Sequence, residues 1–75
     1  MQPLTTKEME YIVDSMSNED LLIKQCIATM SQTQNPAVKN LCQQSLATHQ
    51  QHYNQLLQSL QQHLTVAPMN QQQMQ

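Results

Sequence analysis

Few residues in this chain could do chemistry. The candidates are Glu19, Asp20, His49 and His52, with Cys26 and Cys42 as thiols. Carboxylates and imidazoles together can exchange a proton or hold a divalent metal ion. If the chain doubles back near residue 34 or 35, facing positions carry numbers that sum to about 69. That sets Asp20 level with His49, Cys26 level with Cys42, and Met16 beside Tyr53. Asp20 and His49 then fall near the centres of their apolar stripes, and Glu19 lies nearer an edge. One reading is a metal or acid–base site at the middle of a bundle. The other is that Asp20 and His49 satisfy each other and fix the register.

Spacing narrows the chemistry. Di-metal carboxylate bundles use about four carboxylates with Glu-x-x-His pairs. No Asp or Glu follows Asp20, so the second half cannot supply that motif. His49-x-x-His52 does place two imidazoles near one helix face. The expectation is no cofactor and no resident metal, with Glu19, Asp20, His49 and His52 as the candidate ligands should there be one. A catalytic thiol needs a histidine in hydrogen-bond range and an oxyanion donor. His49 is two helical turns from Cys42, and no Gly turn offers the donor. The cysteines therefore read as core residues, a disulfide or thiolate ligands. Met9, Met16 and Met30 read as flexible core filler. No nucleophile, base and oxyanion donor can be assembled, so the protein is not expected to be an enzyme.

The elements that must position these residues are helices. Thr5-Thr6-Lys7-Glu8 is a capping box, with Leu4 and Met9 spaced as a hydrophobic staple. Met9, Ile12, Val13, Met16, Ile23, Ile27 and Met30 then recur at helical spacing. Asn35-Pro36 supplies an N-cap and a first-turn proline for a second helix. Its stripe is Val38, Leu41, Cys42, Leu46, Tyr53, Leu56, Leu60 and Leu64, at the 3–4 spacing of a coiled-coil seam. Ser17-Asn18-Glu19-Asp20 is a second possible helix start within the first segment.

The reading is all-α: a lead-in over 1–4, a long antiparallel helical hairpin over 5–64, and a Gln-rich tail over 65–75. Helices are expected at about 5–33 and 36–64 around a turn at 34–35. The expected core is Met9, Ile12, Met16, Ile23, Ile27, Met30, Leu41, Cys42, Leu46, Tyr53, Leu56 and Leu60. One hairpin leaves half of its apolar stripe uncovered, so a homodimer forming a four-helix bundle is expected.

Composition excludes other classes. The chain has 75 residues, no Gly, and sixteen Gln. Its three cations are Lys7, Lys24 and Lys39, too few and too scattered to track phosphates, so no nucleic-acid partner is expected. No apolar run approaches the roughly 18 residues of a spanning helix, so no membrane is expected. Met1-Gln2-Pro3-Leu4 lacks the basic and apolar regions of a secretion signal. Two cysteines are too few for a disulfide framework.

Several of these residues, in this order, resemble a known family. They are Leu4-Thr5-Thr6-Lys7-Glu8-Met9, Leu21-Leu22-Ile23-Lys24, Asn35-Pro36 with Val38, Leu41 and Cys42, and His52-Tyr53. Over about residues 4–64 the pattern resembles the Coat F domain of endospore coat proteins. The resemblance implies a ferritin-like helical fold and a structural role in the spore coat. It implies synthesis in the mother-cell cytoplasm, then a place among other coat proteins, and it brings no catalytic residues. Two other functions stay open: a ferritin-like metal-binding protein, and a helical adaptor that docks a partner's helices on its apolar stripe.

Overall fold

A computed structural model of the chain describes residues 3–66. It is all-α, an antiparallel hairpin of α1 (Thr6–Gln32) and α2 (Pro36–Val66). At 27 and 31 residues the helices run about 40 and 46 Å. No described helix is long and apolar enough to cross a membrane.

Both helix starts follow from local chemistry. The Glu8 N–H donates to Thr5 Oγ1 at 3.0 Å, and the Thr5 N–H donates to Glu8 Oε1 at 2.8 Å. This reciprocal box satisfies two of the donors that a helix N-terminus leaves open. At α2 the Asn35 Oδ1 accepts from Ala37 N–H at 2.9 Å and Val38 N–H at 3.4 Å. Pro36 has no N–H to lose in that first turn. Each cap is worth about 1 kcal/mol by comparison with alanine at such sites.

The turn needs no glycine. The Thr33 N–H still donates to the Thr29 carbonyl at 2.9 Å, but its ψ of 146° turns the chain out of the helix. The Asn35 N–H then donates to Thr33 Oγ1 at 3.1 Å. No described residue has positive φ, which is how a chain without glycine closes a tight hairpin here.

The bounds differ slightly from expectation. α1 runs unbroken through Ser17-Asn18-Glu19-Asp20, so that possible start is not used. α2 continues two residues beyond 64, through Thr65 and Val66. The remainder of the expected tail, 67–75, lies outside the described residues.

The seam follows a seven-residue repeat. Met9, Met16, Ile23 and Met30 form one row of α1, and Ile12, Glu19 and Cys26 form the other. Opposite them stand Cys42, His49, Leu56 and His63 in one row of α2, and Leu46, Tyr53 and Leu60 in the next. All are half-buried except His63, which is buried. Such a repeat keeps two wrapped helices in register.

Two expected core residues lie elsewhere. Ile27 is 50% exposed and Leu41 63% exposed. Each neighbours a seam residue, Cys26 and Cys42, and one residue along a helix is a rotation of about 100°. Val13, beside Ile12, is likewise 50% exposed. These three belong to flanks of the hairpin rather than to the contact between its helices.

Candidate functional site

Two features could act: an uncovered apolar flank and a polar cluster midway along the seam. On the first, a shallow groove of ≈ 360 Å³ is lined by Val13, Met16, Ser17, Asp20, Tyr53 and Leu60. Ile27 lies about four turns beyond Val13 on the same side of α1. A neighbouring hollow near the start of α1, sharing Val13 and lined also by Thr6, Met9, Glu10 and Asp14, extends that surface. Among the described residues no side chain is less than 2% exposed, so the hairpin has no closed core of its own.

The polar cluster joins both helices. Glu19 presents one carboxylate oxygen to each of two imidazoles. The His49 Nδ1–H donates to Oε1 at 2.6 Å, and His52 Nδ1 stands 3.4 Å from Oε2. The rings meet edge to face, with centroids 6.0 Å apart. The spacing of His49 and His52, three residues on one helix, puts both above the same carboxylate. The His49 and Glu19 side chains are 23% and 18% exposed, while His52 is 48% exposed and opens the cluster to water.

Sequence spacing joined the wrong acid to His49. Asp20 turns away and accepts from Lys24 Nζ at 2.9 Å, four residues along α1. The Asp20 hydrogen bond, with its charge, raises the Lys24 ammonium above its usual range. That pair is open to solvent and contributes little to stability. The error has a simple source. Counting the exposed Val13 and Ile27 into the stripe of α1 rotates its apparent centre by one residue, from Glu19 to Asp20.

Cys26 and Cys42 are free thiols, both half-buried. Of the candidate ligands, the structure therefore brings together Glu19, His49 and His52 and leaves Asp20 apart.

A further residue escaped the sequence reading. His63 is only 5% exposed, and its Nδ1 accepts from the Leu4 backbone N–H at 2.8 Å, across 59 residues. The bond ties the lead-in to the far end of α2 and closes the open end of the hairpin. The signal was present: Cys42, His49, Leu56 and His63 are seven residues apart, which places His63 in the seam.

Comparison with known proteins leaves these features to speak for themselves: no family model, no curated protein and no solved structure matches the chain.

Proposed function

We propose that the protein is a non-catalytic structural and assembly element that works as a homodimer, two hairpins packing into a four-helix bundle. The observation that carries this reading is the apolar flank around Val13, Met16, Ile27, Tyr53 and Leu60 on a hairpin with no fully buried side chain. Fully burying one such side chain contributes roughly 1.5–3 kcal/mol. A chain of this size rarely finds enough burial alone. A second copy is the fitting cover because its own flank has the same shape and the same need, and a two-fold axis pairs like with like. The scarcity of charge on the chain argues against a strongly acidic or basic partner instead.

Sedimentation of the full chain tests this directly. A dimer at micromolar concentration is expected, and a folded monomer under the same conditions would overturn the reading.

The spore coat is the proposed setting. It is supported by the resemblance to Coat F domains at Asn35-Pro36 and His52-Tyr53 together with the hairpin form. In that setting the bundle buries its apolar flanks, and the uncharged Gln-rich faces of α2 meet other coat proteins. A fluorescent fusion should move from the mother-cell cytoplasm to the forespore surface. A fusion that stays diffuse throughout sporulation counts against the coat.

A further inference from the structure

We propose that Glu19, His49 and His52 form a binding site for a divalent transition-metal ion of the zinc class, one per chain. The three side chains each offer a donor atom, and these atoms all lie within 4.8 Å of one another. Two imidazole nitrogens and a carboxylate oxygen are borderline donors that suit zinc and its first-row neighbours, whereas calcium and magnesium prefer all-oxygen sites.

Both imidazole–carboxylate distances are those of ion pairs, and the longer one also suits a bound ion. Hydrogen bonds from nitrogen to oxygen cluster at about 2.7–3.2 Å. The 3.4 Å between His52 Nδ1 and Glu19 Oε2 is longer than that. It matches the edge of a tetrahedron of ligands, about 3.3 Å for metal–ligand bonds of about 2.0 Å. The 2.6 Å contact between His49 and Glu19 must open, and the donor atoms, now within 4.8 Å of one another, must close on the ion. The Nδ1 proton of a neutral His49 moves through solvent to Nε2 and leaves a neutral imidazole as the ligand.

The surroundings also fit. A groove of ≈ 360 Å³ runs past Glu19 and His52 between Ser15, Gln55, Leu56 and Ser59. It leaves room for water in the remaining coordination positions, the arrangement of three protein ligands and an open position. This groove lies on the flank away from Val13, Tyr53 and Leu60, so dimerisation through the apolar flank leaves it accessible. The ion would clamp α1 to α2 at the middle of the hairpin, where Glu19 and His49 interrupt an otherwise apolar seam.

The test is zinc titration of the full chain, made without a histidine tag, with cobalt as a spectroscopic probe. One ion per chain is expected, with nitrogen and oxygen coordination in the cobalt spectrum. Glu19→Gln keeps an acceptor for His49 and so keeps the fold, but removes the anionic donor. His52→Gln removes a half-exposed ligand at little cost to packing. Each should weaken zinc binding by roughly 100-fold or more, since even changes behind the ligands cost 10–100-fold. Three results would overturn the site: no zinc retained by the wild-type chain, unchanged affinity in both variants, or a thiolate charge-transfer band placing cobalt on Cys26 or Cys42.

Discussion

Glutamate at both Val13 and Ile27 is expected to weaken self-association by at least on the order of 10³-fold, leaving monomers at micromolar concentration. Both side chains are half out of the hairpin, so the change removes little packing between α1 and α2. Its effect falls on whatever covers them. A two-fold pairing would bring four new carboxylates into the contact. Each polar group buried without a partner costs roughly 1–3 kcal/mol, and each 1.4 kcal/mol is tenfold in the dissociation constant. Glutamate at Leu41 is the control. It is 63% exposed and, about three turns before His52, lies on that residue's face of α2, away from Val13. That variant should associate within about threefold of wild type, because a rim charge stays hydrated. Sedimentation velocity over a concentration series reads both. If the Val13 and Ile27 variant pairs as tightly as wild type, the contact lies elsewhere.

His63→Ala should be the most damaging single truncation within one hairpin, costing about 2–4 kcal/mol. It removes the most buried side chain described and leaves the Leu4 N–H without its acceptor. The loss is large against a total of about 4–11 kcal/mol for a domain of this length. His63→Asn separates the two contributions. Its amide oxygen can take the place of Nδ1, so it should recover a substantial part of the loss, whereas a pure packing role would give no such rescue. Urea denaturation at one fixed protein concentration measures both, since a dimer's apparent stability depends on concentration. An alanine variant within about 0.5 kcal/mol of wild type would remove the lead-in clasp from the account.

Local chemistry was readable wherever a helix begins. Thr5 with Glu8, and Asn35 with Pro36, act through partners at most four residues away, so their capping roles follow from sequence order alone. The polar cluster was half readable. His49 and His52 could be placed on one face, but their acid was misassigned by one position along α1. The seven-residue spacing places His63 in the seam, but its partner was not readable, because it is a backbone N–H that no residue type advertises.

By itself the sequence determined the two helices, their caps, the glycine-free turn between them and the rough level of each residue along the hairpin. Those depend on short-range hydrogen bonds and on a period set by the backbone. The tertiary structure alone decided how far each helix is rotated about its own axis. That rotation comes from the wrapping of α1 against α2, which follows a repeat near 3.5 residues rather than 3.6. One residue is a rotation of about 100° about the axis, and that step separates Glu19 from Asp20, Cys26 from Ile27 and Cys42 from Leu41. It therefore settles which acid meets the imidazoles and which apolar side chains are left for a partner.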